Sequence, residues 1–184
     1  MKNNDNTALL VMDVQSGITS RINDKELYLK NLKSLVKSAR AKNIPIIFIV
    51  VGFRPGLPEI NVNNKSFSAI KKSANLTAMI NPTPVLETTD KDIVITKRRV
   101  SAFSGSDLEV VLRAQGIHHL VLCGISTSGV VLSTTREAAD KDYQLSVLSD
   151  LCVDFDEEVQ HVLIEKILPR QAQVISSQEW LKTI

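Results

Sequence analysis

Short runs of almost uninterrupted apolar residues, separated by stretches of helical period, constrain this chain more than any other feature. Ala8 to Val14 (ALLVMDV), Pro45 to Val51 (PIIFIVV), Asp92 to Thr96 (DIVIT), His119 to Cys123 (HLVLC) and Gln144 to Leu148 (QLSVL) are such runs. A strand with one wet face alternates polar and apolar residues, so these runs suit strands buried on both faces. From Lys25 to Lys42, Leu27, Leu32, Leu35, Val36 and Ala39 fall near helical spacing with lysines opposite, and Asp24 is a fair N-cap. A second helix starts at Ser106-Asp107-Leu108-Glu109, runs to Gln115 and stops at Gly116. Gly124 marks a tight exit from the fourth run, and a helix follows from about Thr127 to Lys141. A further helix covers Asp156 to Leu168 and ends at Pro169; a short sixth strand, Gln173 to Ser176, and a last helical turn, Gln178 to Lys182, close the pattern. Gly52 to Pro58 reads as a loop. Residues 59–90 read as a long functional loop or cover, with a short helix near Ser66 to Ser73 and breaks at Pro82 and Pro84. Strands alternating with helices argue for an α/β fold: a doubly wound, mostly parallel sheet with helices on both faces.

No repeat, low-complexity tract or charge block divides the sequence, so residues 1–184 read as one domain. Hydrophobic residues make up 43% and charged residues 23%, enough apolar material for a core without disulfides or metals. The net charge of +2 and 4% aromatic content lack the basic stripe and stacking platforms of a nucleic-acid binder. No apolar run approaches the roughly 20 residues that span a bilayer, and Met1 to Asn6 lacks a secretory core. Cys123 and Cys152 form no CxxC pair and read as reduced, buried thiols of a cytoplasmic protein.

In an open α/β sheet, ligands bind beyond the carboxyl ends of the strands, where strand order reverses. That rule selects Asp13 and Gln15, Gly52 to Arg54, Lys97, Gly124 to Gly129, and Asp150. Asp13 ends an apolar strand; a carboxylate there needs a partner or becomes neutral. Lys97 closes another apolar strand at the same rim, and a carboxylate facing an ammonium in a dry cleft is a pair whose pKa values leave their solution range. Gly124-Ile125-Ser126-Thr127-Ser128-Gly129 links a strand to a helix start, where free amides can serve an anion or oxyanion, or Ser126 or Thr127 can act as a plain N-cap. Arg54 could clamp a carboxylate. The glycines match neither GxGxxG nor the phosphate loop. His118 and His119 precede the fourth strand, on the wrong rim for a Ser-His-Asp triad, and His161 lies in a late helix. No HxxxH or HExxH occurs, so neither a metal nor another cofactor is expected.

Three segments carry a resemblance. Leu10-Val11-Met12-Asp13-Val14-Gln15, Thr96-Lys97-Arg98-Arg99 with Ser101-Ala102-Phe103, and Leu122-Cys123-Gly124-Ile125-Ser126-Thr127-Ser128-Gly129-Val130-Val131 resemble, in order and spacing, the motifs of the isochorismatase-like hydrolases, also called the cysteine hydrolase superfamily. The resemblance implies a six-stranded, Rossmann-like sheet and, in most members, an Asp-Lys-Cys triad: Asp13 as base, Lys97 as electrostatic partner, a thiolate as nucleophile. It also implies a non-proline cis peptide at about Ile125-Ser126, an oxyanion turn from Ile125, Ser126 and Gly129, and homo-oligomers, dimers or tetramers. The sequence departs from the pattern at the nucleophile, where Val130 stands at the usual cysteine position, and it lacks the metal-binding histidines that nicotinamide-hydrolysing members carry after the second strand.

The missing thiol leaves three readings open. Some isochorismatases lack the cysteine and cleave a vinyl ether, with the aspartate acting as an acid and water adding to the substrate. Ser126 or Ser128 could replace the thiol, although an alkoxide needs a stronger base than a carboxylate usually supplies. The third reading is a non-catalytic relative that binds a small acid or serves as an oligomeric partner module. Gln15, Phe53, Arg54 and Phe103 are the expected pocket residues, with Ile125 and Val130 adding to an apolar wall and Arg54 or Arg98 favouring an anionic ligand.

Overall fold

The computed structural model describes residues 6–72, 79–80 and 82–184. Its elements are β1 (Thr7–Met12), α1 (Ser16–Thr19), α2 (Lys25–Ala41), β2 (Ile46–Val51), α3 (Lys65–Ser68), β3 (Ile93–Lys97), α4 (Leu108–Ala114), β4 (His119–Ile125), α5 (Leu132–Ala139), β5 (Gln144–Val153), α6 (Glu157–Val162), β6 (Gln173–Ile175) and α7 (Ser177–Thr183). The six strands form one parallel sheet in the order β3-β2-β1-β4-β5-β6. Right-handed crossovers then place α2 on one face and α4, α5 and α6 on the other. α7 returns to the first face, where it packs against α2 and β5. The chain runs outward from β1 to β3, then returns to continue from β4 to β6, so the strand order switches between β1 and β4.

β1 and β2 are buried at every position, as continuous apolar runs at the centre of a doubly covered sheet should be. β3 departs from that expectation because it is an edge strand: Val94 is exposed there. α2 buries Tyr28, Leu32, Leu35, Val36 and Ala39. Leu27, read as part of that apolar face, is exposed instead, because Tyr28 fills the first-turn position and donates its hydroxyl to the carbonyl of Leu151. Asp24 precedes α2 but makes no side-chain cap: its own backbone is left-handed, at φ 50°.

Two strands outrun their sequence boundaries. β4 continues through Gly124, which is therefore inside the strand and not its exit. There φ is 151°, and a side chain would collide with the carbonyl of Met12 on β1. β5 continues past Ser149 and Asp150 to Val153, so Cys152 lies within the strand, opposite Gly124. Asp150 is not at a strand end either; its carboxylate accepts from the amide and hydroxyl of Ser177 and anchors the start of α7. The segment read as one helix from Thr127 opens with a π-helical turn, Thr127–Val131, before α5. The late helix is likewise composite: α6 is capped by Asp156, then passes through a π turn, Leu163–Ile167, and a 3-10 turn, Leu168–Arg170, that contains Pro169. The short helix in the long loop is α3, extended by the turn Ala69–Lys72; Ser73 lies outside the described residues.

Most of the buried apolar side chains form one core on the two faces of the sheet, including Leu9, Leu10, Phe48, Leu120, Leu122 and Trp180. A second, smaller cluster of Val51, Phe53, Leu57, Ile60 and Phe67 fastens the loop after β2 over the carboxyl ends of the strands. No helix among the described residues is long and apolar enough to cross a membrane.

Candidate active site

Asp13 is the first residue beyond β1, beside the switch point, and its backbone takes the left-handed conformation at φ 57°. Aspartate tolerates this region better than most residues, and the turn directs the chain out of the sheet. Its amide still donates to the carbonyl of Ile49 on β2. Lys97 ends β3, two strands away, with β2 between them. The long lysine side chain crosses that gap, and its Nζ lies 2.9 Å from Asp13 Oδ2. Both residues are buried, at 6% and 1% exposure. Lys97 Nζ also donates to the carbonyls of Arg99 and Val100, at 2.9 Å each, so three oxygens surround the buried ammonium.

The two Asp13 oxygens differ. Oδ2 faces Lys97, whereas buried Oδ1 has no hydrogen-bond partner. Burial pushes the Asp13 pKa up to about 6, and the charge and hydrogen bond of Lys97 act in the opposite direction without cancelling it. Thr127, on the turn after neighbouring β4, is also buried with an unpartnered hydroxyl. The rim at the switch point thus holds free polar valences where a ligand's polar atoms can be met.

The Ile125-Ser126 peptide is cis, at the position implied by the resemblance. The Ser126 hydroxyl caps the following helix by accepting from the Gly129 amide at 3.2 Å. Asp154, beyond β5, accepts from the Ser128 amide at 2.6 Å. The amides of Ser128 and Gly129 are therefore engaged within the protein, and an oxyanion turn that relies on Gly129 is not preformed. Ile125 and Val130 are buried in the main core.

The other expected pocket residues are placed less uniformly. Gln15 is buried next to Asp13, but its amide bridges both main-chain groups of Val51, donating to the carbonyl at 3.1 Å and accepting from the amide at 2.9 Å. It ties β1 to β2 and presents no free group. Phe53 is buried in the small cluster, edge-on to Phe67. Arg54 points outward and pairs with Glu59, whose pKa desolvation pushes up but hydrogen bonds from its own backbone and from Arg54 bring below the usual carboxylate value. Arg98 donates to the Gly52 carbonyl and also faces Glu59. Phe103 packs against Tyr143, which precedes β5, so its ring turns toward the amino ends of the strands and away from Asp13. Arg54 and Phe103 therefore do not join the Asp13–Lys97 pair.

Both thiols are buried, and desolvation raises their pKa values, that of Cys152 to about 12. His119 starts β4 at the opposite rim, facing the hydroxyls of Thr7 and Ser146; burial lowers its pKa. No group of three or more His, Cys, Asp or Glu residues suited to hold a metal occurs among the described residues. A groove of about 640 Å³ lies at that opposite rim, lined by Arg40, Pro45, Asp92, Ile93 and Gln115. Asp92, with its side chain 2% exposed, is already bonded to Arg40 and Thr89, so it carries structural polarity.

A doubly wound sheet with a buried carboxylate–ammonium pair beside its switch point defines the class: an α/β protein with a candidate small-molecule site at the carboxyl rim of its sheet. The isochorismatase domain family matches residues 7–179. The chain is 32% identical over 178 residues to the isochorismatase family protein YwoC of Bacillus subtilis, covering 97% of this chain and 94% of that protein. It is 30% identical over 170 residues to the ureidoacrylate amidohydrolase RutB of Yersinia enterocolitica, covering 78% and 74%. Its fold superposes with a TM-score of 0.82 on an isochorismatase family protein from Burkholderia thailandensis at 26% identity, covering 97% and 95%. The chain belongs to the isochorismatase family, a family of hydrolases.

Proposed function

We propose that this protein hydrolyses a vinyl ether in a small molecule, with Asp13 as the acid, Lys97 as its electrostatic partner and no covalent intermediate. The observation that carries the reading is the divided carboxyl of Asp13: one oxygen held 2.9 Å from Lys97, the other buried and free. A carboxyl with a pKa of about 6 retains its proton in roughly a tenth of molecules at pH 7, far more than an ordinary carboxyl does. Transfer of that proton to the terminal carbon of an enol ether leaves an oxocarbenium centre. Water adds there and returns a proton to Asp13, and the C–O bond breaks to give a ketone and an alcohol. Lys97 favours the carboxylate formed during the step.

Val130, at the position where most members of the family carry their nucleophile, supports a route without a thiol. The two cysteines present are buried thiols with raised pKa values, poorly suited to replace it. The amide hydrolysis named for RutB is the competing chemistry. The test is a paired assay with isochorismate and ureidoacrylate. The expected result is release of pyruvate from isochorismate, loss of at least 10²-fold in Asp13→Asn with an unchanged circular dichroism spectrum, and no ureidoacrylate turnover. Full activity of Asp13→Asn, or an acyl-enzyme trapped with ureidoacrylate, overturns the reading.

A further inference from the structure

The sheet order sets β4 between β1 and β5, so the segments leaving β1 and β5 flank the turn Thr127–Val131. A side chain from each segment meets the other. The Arg21 guanidinium, just past α1, lies 4.1 Å over the ring of Phe155, just past β5. Phe155 is fixed by Asp154, whose carboxylate accepts from the amides of Ser128 and Phe155. The pair therefore joins the segments that leave β1 and β5 across the turn after β4.

Several charges at this rim are engaged. Lys97 is held by Asp13 and two carbonyls, and Arg54 and Arg98 face Glu59. Asp154 and Asp156 turn onto backbone amides. Arg21 has no ion pair or hydrogen bond through its guanidinium among the described residues, and the Phe155 ring beneath it is 44% exposed.

We propose that Arg21, oriented by its stacking on Phe155, is a specificity-determining residue that receives a carboxylate of the substrate at the mouth of the Asp13–Lys97 site. The proposal rests on reading that site as hydrolytic. A guanidinium offers paired donors to a carboxylate, and stacking restricts it before binding, which reduces the ordering cost. The clamp expected from Arg54 passes to Arg21, on the segment after β1.

The experiment compares benzoate with benzamide, planar probes of similar shape that differ in charge. Binding to the full chain is followed by heteronuclear NMR at the Ser128 and Phe155 amides. Benzoate is expected to bind the wild-type protein at least tenfold more tightly than benzamide. Arg21→Gln is expected to lose that advantage without changing benzamide binding or the melting temperature, and Arg21→Lys to restore only part of it. Equal affinities of the two probes for the wild-type protein, an unchanged benzoate affinity in Arg21→Gln, or no benzoate-induced shift at millimolar concentration overturns the proposal. These readouts need no turnover. Failure of the isochorismate assay with the Arg21 effect intact refutes the hydrolytic chemistry alone, and the reverse result refutes the role of Arg21 alone.

Discussion

Asp13 experiences two opposed influences, and their balance sets a pH window. Desolvation favours the neutral acid and Lys97 favours the carboxylate; desolvation prevails, and the pKa lies near 6 instead of 3.8. If the neutral acid is the working form, its population is full below about pH 6 and falls tenfold for each pH unit above it. The expected log kcat/KM profile for isochorismate therefore bends downward near pH 6 with a slope approaching −1; a kcat/KM that rises through that window removes Asp13 as the acid. Lys97→Met takes away the influence that lowers the pKa, so any remaining activity should show its bend at a higher pH. The same substitution leaves Asp13 buried without its cation. Breaking a buried pair costs about 3–5 kcal/mol, which urea denaturation of wild type and variant would measure.

Among the elements, β4 carries the tightest steric demand. Gly124 lies where β4 passes Met12 of β1, at a φ that L side chains rarely adopt. Gly124→Ala must push apart the two strands that bracket the switch point. Strain of about 1–3 kcal/mol adds to overpacking of about 1–3 kcal/mol, so the urea midpoint should fall clearly. Displacement of Asp13 should also reduce isochorismate turnover more than the lost stability explains. The sequence made the central strands legible because both their faces are buried, leaving a continuous apolar run. It hid the extension of β5, because Ser149 and Asp150 look like a strand end until Ser177 is seen bonding Asp150. Asp13 and Lys97 were readable as rim residues from their places at the ends of apolar runs. Their meeting across β2 depends on the length of a lysine side chain, and strand periodicity does not report that. The outward turn of Arg54 and the opposite turn of Phe103 follow from loop geometry, and side-chain direction after a loop has no period to read. Arg21 and Phe155 left no local pattern, because 134 residues separate them and only the order of β1, β4 and β5 brings them together.

At the scale of the molecule, two apolar clusters of unequal size hold different jobs. The larger spans the sheet and reaches Trp180 on α7, the single tryptophan of the chain, which is 2% exposed. The smaller contains five buried residues, with Phe53 and Phe67 in edge-on contact at 5.5 Å, and it holds the loop after β2 down at the carboxyl rim. Local opening free energy follows the apolar surface that opening exposes to water, so the small cluster should open without the large one. Native-state hydrogen exchange is expected to give lower protection at the Leu57 and Ile60 amides, whose bonds close turns beside this cluster, than at the amides of Leu9 and Leu10 in β1. Phe67→Ala deletes one of the two rings; it should lower protection at Leu57 and Ile60 by an amount on the order of 2–4 kcal/mol, limited by the small opening energy already present. The urea midpoint followed by Trp180 fluorescence should move much less, because that signal reports the sheet core. If both observables shift by the same free energy, the two clusters unfold as one cooperative unit, and the loop after β2 cannot open to admit a substrate while the sheet that carries Asp13 and Lys97 stays closed.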